Sequence, residues 1–417
     1  MKPQIRALVI SYKFPSTMQP WLANSVAQIV KQGGEVEILS EVKGDDHYTS
    51  VVDDCDLKSR TIHLDFHGRY SLKAILKNFC SLRLVKKSIT GVLRAPRYLS
   101  RQKSFLGNLL STLVLAPHIN KKNINLVHSH FEVTGHRLLP IIKAQKAPFI
   151  ITFHGLPPPG IAQLPQKMRA EYVNAADVIL VNTEFAKRQY VQLGAPEEKI
   201  KILPQGIVTQ NYSFTTKCKP VDMPIEILTV GRFSPDKGQK YVLHALPKLV
   251  KCGHNVRYTM VGTGPDRAIL EQLAIELGLR DIVSFHTSIS ESELKKIYSR
   301  SHIFILPSLK AIDGFHEETQ GVAIQEAQAS GLIVIATKVG GIPECVEDGV
   351  SAFLVEDRNS HAIADKLQWI INNPDQWNQW QRDARRHVET NFDIDVIGKR
   401  LMRIYSDAIT NTKKAHE

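Results

Sequence analysis

Along the chain, short apolar runs rich in Val, Ile and Leu alternate with helix-length stretches. In the first half, IRALVI (5–10), EVEIL (35–39), TIHLDF (61–66), INLVHSH (124–130), PFIITF (148–153), DVILVN (177–182) and KILP (201–204) predict strands. The stretch GIVTQNYSFTTKCKPVDMP (206–224) has no sustained period, mixes Gly, Pro, Thr and Asn, and predicts a linker. A second series follows with IEILTVG (225–231), VRYTMVG (256–262), IVSFH (282–286), HIFILP (302–307) and LIVIAT (332–337). Between these lie helical stretches such as GQKYVLHALPKLVK and DRAILEQLAIELG. Such alternation predicts α/β halves with parallel sheets, residues 1–205 and 225–385, and two halves facing each other leave a cleft suited to a ligand.

Composition narrows the class. At 417 residues and 43% hydrophobic content the chain is too long for one ordinary core. No stretch approaches about 18 uninterrupted apolar residues, and the opening MKPQIRALVISYKFPS is strand-like rather than a secretory leader, so a cytoplasmic location is expected. Cys55, Cys80, Cys218, Cys252 and Cys345 are scattered without zinc-like spacing and read as reduced thiols. The net charge of +12 has one source: between Phe66 and Phe131 there is no Asp or Glu, while twelve Lys and Arg fall from Arg69 to Lys122. This basic 69–122 segment interleaves its cations with Leu, Ile, Val and Phe, the pattern of a surface drawn to anionic lipid headgroups. A solvated face over a buried helix is the plainer reading, and nucleic acid is a third that no recognised motif accompanies.

Ligands of open α/β sheets sit at the carboxyl ends of the strands. After HIFILP comes the polar loop SLKAIDGFHEET and then the helix GVAIQEAQAS, stopped by Gly331. Glu318 therefore lies in a loop and Glu326 inside a helix, with seven residues between them. Unpaired amides near Gly321, Val322 and Ala323 favour an anion such as phosphate, and carboxylates on either side take hydroxyls. A sugar, a phosphate and a ribose in line fit that order. After IEILTVG, the loop GRFSPDKG carries Arg232, a planar fork, and Lys237, a point charge, which together suit a diphosphate and stand in for a metal.

These residues carry a resemblance. VGRFSPDKG, VGTGPDR, HIFILPS, the spaced pair Glu318 and Glu326, and GLIVIATKVGGIPECVEDGVSAFLV resemble the nucleotide-sugar domain of the family 4 retaining glycosyltransferases. VHSHF, ITFHG and VNTEFAKRQYVQLGAPEEKIKILPQGI extend the likeness through the first half. The closing HVETNFDIDVIGKRLMRIYSDA resembles that family's last helix, so residues 386–417 are expected to cross back to the first domain. The resemblance implies a GT-B fold, two Rossmann-like α/β/α domains facing a central cleft. YKFPSTMQPWLANSV is similar to the exopolysaccharide and lipopolysaccharide (colanic-acid-like) members, with Met18, Gln19, Pro20 and Trp21 where those members carry a serine, a glutamate and a threonine.

Carried over position by position, the resemblance implies that Arg232 and Lys237 bind a diphosphate and that Glu326 holds ribose hydroxyls. It implies that Glu318 contacts the donor sugar, with the amides of Gln320, Gly321 and Val322 near the phosphates, and that His154 reaches that sugar from the other domain. Taken alone, His154 reads as a packed or capping side chain. Gly262 and Gly264 suit a tight turn, and Arg267 stands where a dinucleotide fingerprint has its third glycine. Asp53, Asp54 and Asp56 imitate a metal-binding acidic motif without a nucleotide loop, and His128, His130 and His136 suit strand ends, so no metal and no cofactor is expected. The expected activity is metal-independent, retaining transfer of a hexose from a UDP- or GDP-sugar to a lipid-linked saccharide, with no nucleic-acid partner. A sugar-nucleotide epimerase, a nucleic-acid binder and a silent sugar binder are the alternatives.

Overall fold

The computed structural model describes residues 3–16, 19–46, 48–63, 123–144, 147–156, 163–311 and 317–414. The basic 69–122 segment, with the expected membrane contact, lies outside these residues, as does Met18.

Seven strands build the first sheet: β1 (Arg6–Phe14), β2 (Glu35–Lys43), β3 (Thr61–His63), β4 (Leu126–Ser129), β5 (Phe149–Phe153), β6 (Val178–Val181) and β7 (Ile200–Ile202). Their order is 3-2-1-4-5-6-7 and every pairing is parallel. The second sheet holds β8 (Ile225–Val230), β9 (Val256–Val261), β10 (Val283–His286), β11 (Ile303–Leu306), β12 (Ile333–Thr337) and β13 (Phe353–Val355), in the parallel order 10-9-8-11-12-13. Helices cover both faces of each sheet, so alternate strand residues enter different cores. Ala7 and Val9 of β1 join one cluster and Leu8 and Ile10 another; Ile227 and Leu228 of β8 divide in the same way. This is the arrangement of two Rossmann-like halves that the resemblance implies.

Two details depart from the apolar pattern. β1 and β2 continue to Phe14 and Lys43, past the ends of their apolar runs, because the ladder goes on through polar residues. Ser40 Oγ accepts the Phe14 N–H (2.8 Å) and donates to the Val42 carbonyl (2.7 Å). β13 has three residues, too few for a periodic signal, and is fixed by pairing Phe353 with Ile335 and Val355 with Thr337.

The chain between the sheets is tied down by the C-terminal helices. Ile207 donates to Phe392 (2.9 Å) and accepts from Ile394 (2.8 Å), and Gln381 brackets the Lys217 backbone through both amide atoms. The last helix, Ile394–Lys414, then crosses to the first half, where Leu401, Tyr405, Ala408 and Ile409 pack with Leu22, Ala23 and Val26 of the helix Pro20–Lys31. Gln28 Nε2 donates to Asp395 Oδ1 (2.9 Å) at the crossing. Both sheets reverse their strand order beside their first strand, between β1 and β4 and between β8 and β11, and the crevice outside the carboxyl ends there is where such folds hold ligands.

Candidate active site

In the second half, four loops at carboxyl strand ends interlock through their backbones. The loop after β9 lies against the loop after β8, since a Cβ on Gly262 or Gly264 would collide with the carbonyl oxygen of Gly231 or Phe233. The turn reading of these two glycines is therefore extended by a close backbone approach. The loop after β12 supports the Glu318–Thr319 backbone in the same way: a Cβ on Gly340 or Gly341 would strike the Glu318 or Thr319 carbonyl oxygen, and the Gly341 N–H donates to Glu318 (2.8 Å). Leu309 N–H, from the loop after β11, donates to the Asp236 carbonyl (2.8 Å).

Both expected cations lie on this platform, each beside a carboxylate. Arg232 Nε reaches Ser234 Oγ (3.1 Å) and its Nη2 lies 3.3 Å from Asp236 Oδ2. Lys237 closes the short turn Pro235–Lys237 and places Nζ 2.5 Å from Glu318 Oε2 and 3.8 Å from Asp236 Oδ2. Burial alone would lower the Lys237 pKa, but the charge of Glu318 and its hydrogen bond outweigh that and raise it. Lys237 and Glu318, expected on diphosphate and sugar, thus touch each other, a contact that their distance in sequence hides.

Gly321, at φ +80°, precedes the helix Val322–Ala329, whose first turn has no side-chain cap. Val322 opens that helix and Glu326 lies in its second turn. The Tyr298 hydroxyl donates to Glu326 Oε2 (2.8 Å) and the Tyr212 hydroxyl also bonds this carboxylate. Burial raises the Glu326 pKa and the two tyrosines oppose the rise. Neither tyrosine was visible from sequence, as they come from the linker and the helix Glu291–Arg300.

The first half brings three histidines together at the ends of β4 and β5. His154 Nε2 is 3.2 Å from His130 Nδ1, and His128 bonds Tyr405 (2.6 Å) and Thr152 (2.7 Å). The Trp21 ring centroid lies 4.2 Å from that of His154. Burial lowers His128 and His154 to about 3 and His130 well below its usual value, so all three are neutral at pH 7. Among the described residues no group of three or more His, Cys, Asp or Glu is arranged to hold a metal; Asp53, Asp54 and Asp56 are exposed, with Asp53 3.8 Å from Lys58.

The halves meet around Thr319 and Gln320. Asn182 Nδ2 donates to Thr319 Oγ1 (2.9 Å) and Thr183 Oγ1 to the Thr319 carbonyl (2.9 Å). Gln320 accepts from the Gln205 N–H (2.7 Å) and donates to the Gln205 carbonyl (2.8 Å). Glu344 caps the helix Glu184–Gln192 of the opposite half by accepting the Glu184 and Phe185 N–H groups (2.5 and 2.8 Å). Gln205, Thr319 and Glu344 were not candidates; the strand-end rule applied to KILPQG would have drawn attention to the first.

Two facing Rossmann-like halves, with cations, carboxylates and a helix N-terminus at the carboxyl strand ends, define a GT-B glycosyltransferase. Residues 22–211 match the family model described as Glycosyltransferase Family 4 and residues 216–387 the one described as Glycosyl transferases group 1, so the chain belongs to these glycosyltransferases. It is 27% identical over 402 residues to the putative colanic acid biosynthesis glycosyltransferase WcaL of Escherichia coli (strain K12), covering 93% of this chain and 96% of that one. It is 26% identical over 399 residues to the amylovoran biosynthesis glycosyltransferase AmsK of Erwinia amylovora, covering 94% and 97%. Its fold is similar to that of Anabaena HepE in complex with UDP, with a TM-score of 0.68, 18% identity and coverage of 97% and 100%.

The buried histidines set an acid sensitivity. Their folded pKa values lie below the unfolded value near 6.5, so as pH falls below about 6.5 the unfolded chain takes up protons that the native protein refuses, and stability drops. His128→Gln removes one such group. Between pH 6 and 4 its stability should fall less steeply than wild type by up to about 1.4 kcal/mol per pH unit. Urea unfolding at three pH values measures this; parallel slopes would contradict it.

Proposed function

We propose that this glycosyltransferase moves a hexose from a UDP- or GDP-sugar to a lipid-linked saccharide with retention of configuration, in the synthesis of a surface polysaccharide. The observation that carries the reading is the convergence of Arg232, Lys237, Glu318 and the start of the helix Val322–Ala329 on one platform, joined across the cleft to His154. The colanic acid and amylovoran relatives support the pathway class, and the UDP held by HepE supports a nucleotide-sugar donor.

As the bond to the nucleotide breaks, negative charge grows on the departing diphosphate and positive character on the sugar ring. Arg232, Lys237 and the amides of Gln320, Gly321 and Val322 stabilise the first without a metal, each electrostatic contact being worth about 10²–10³ in rate. Arg232 leaves Asp236 for the diphosphate, while Lys237 bridges the diphosphate and Glu318. Glu318, held by Lys237, orients sugar hydroxyls, Glu326 takes the ribose hydroxyls, and His154 contacts the sugar from the opposite side. With Glu318 so engaged, the acceptor hydroxyl attacks from the face that the nucleotide leaves, and its proton passes to the departing diphosphate oxygen as the bond to the nucleotide breaks. The basic 69–122 segment holds the enzyme peripherally at the inner face of the membrane, where a lipid-linked acceptor is presented.

Two measurements check this. With UDP- or GDP-hexose and a lipid-linked oligosaccharide, the wild type should give a product whose new linkage keeps the donor's anomeric configuration by NMR, and Arg232→Ala should lower kcat by about 10²–10³. An inverted linkage would rule out retention, and release of free epimer with no transfer would replace transferase by epimerase. Vesicles containing anionic lipid should carry the protein upward in flotation at low salt and lose it at high salt; failure to float at low salt would remove the membrane contact.

A further inference from the structure

Gln205, just past β7, is bonded to both halves of the site at once. Its backbone N–H and carbonyl pair with Gln320 Oε1 and Nε2 (2.7 and 2.8 Å), and its own side-chain Nε2 lies 3.1 Å from His154 Nδ1. Gln320 is 1% exposed and Nε2 also donates to Gln325 Oε1 (3.0 Å), so the two ends of its amide are unambiguous. A backbone N–H can only donate, which makes Oε1 its acceptor. With its nitrogen turned to the ring, the Gln205 amide donates, so in this arrangement His154 Nδ1 accepts and the ring proton sits on Nε2, facing His130 Nδ1 at 3.2 Å. Trp21, 4.2 Å from the imidazole between ring centroids, packs against the same ring.

We propose that Gln205 is a positioning residue that locks His154 in the Nε2–H tautomer and registers it against the Glu318–Gln320 loop of the opposite half. The inference rests on the reading in which His154 meets the donor sugar. A sugar hydroxyl reaching Nε2 takes the place of His130 Nδ1 and receives a hydrogen bond from a neutral ring. Neutrality matters because positive character develops on the sugar as its bond to the nucleotide breaks, and an imidazolium beside it would oppose that charge. His154 thus serves as an uncharged donor, and Gln205 decides which edge of the ring donates.

The test is long-range proton–nitrogen correlation NMR at pH 7 on protein labelled in its histidines, with His154→Gln identifying the His154 signals by their loss. In the wild type those signals should show the Nε2–H tautomer. Gln205→Glu replaces the donor by a carboxylate that only accepts, so the His154 proton should move to Nδ1 or both nitrogens should become protonated. Gln205→Ala removes the partner and should give a mixture of tautomers, which guards against a Gln205→Glu protein that fails to fold. A wild-type Nδ1–H ring, or an unchanged Nε2–H pattern in a folded variant of either kind, overturns the proposal. No turnover is needed for this readout, so it stands or falls separately from the glycosyl-transfer reading.

Discussion

Glu318, Thr319 and Gln320 are three consecutive residues gripped from below and from across the cleft. Gly340 and Gly341 let a second backbone run directly beneath the first two, while Asn182, Thr183 and Gln205 hold Thr319 and Gln320 from the other half. A side chain at either glycine would lift the strip and carry Glu318 away from Lys237. The position of a carboxylate relative to a cation, and of both relative to His154, therefore depends on where one short piece of backbone is allowed to lie.

These contacts set orientation more than they add stability. A hydrogen bond between protein groups contributes only about 0.5–1.5 kcal/mol net, because water is given up to make it. Leaving Gln320 or Asn182 buried without a partner costs more, so the halves are penalised for sitting in any other register. The Glu344 cap works in the same direction, with its carboxylate at the positive end of a helix in the opposite half. Arg232 and Lys237 each lie beside a carboxylate, so on the proposed function a diphosphate would replace Asp236 at Arg232 and join Glu318 at Lys237.

The sheets were legible in sequence because parallel strands buried on both faces read as unbroken apolar runs. Strand ends and short strands were harder: β1 and β2 continue on backbone pairing through polar residues, and β13 is too short to show a period. The cationic loop and the spaced glutamates could be found because each motif is local. The Lys237–Glu318 ion pair, the tyrosines on Glu326 and the neutral histidines join residues far apart in the chain and exist only once the sheet that carries them has formed, while the Gln205 bridge needs both sheets. Trp21 illustrates the limit: sequence marked it as a departure from the resembling members, while its place beside His154 needed the helix Pro20–Lys31 to be set against the ends of β4 and β5.

The most direct test of the account is calorimetric titration of UDP and GDP, with chelator present, into the wild type, Arg232→Ala and Glu326→Ala. One nucleotide should bind without metal and both substitutions should weaken it, since one removes a diphosphate contact and the other a ribose contact. Binding that vanishes with chelator, or that neither substitution changes, would contradict the assignment of this platform to the nucleotide.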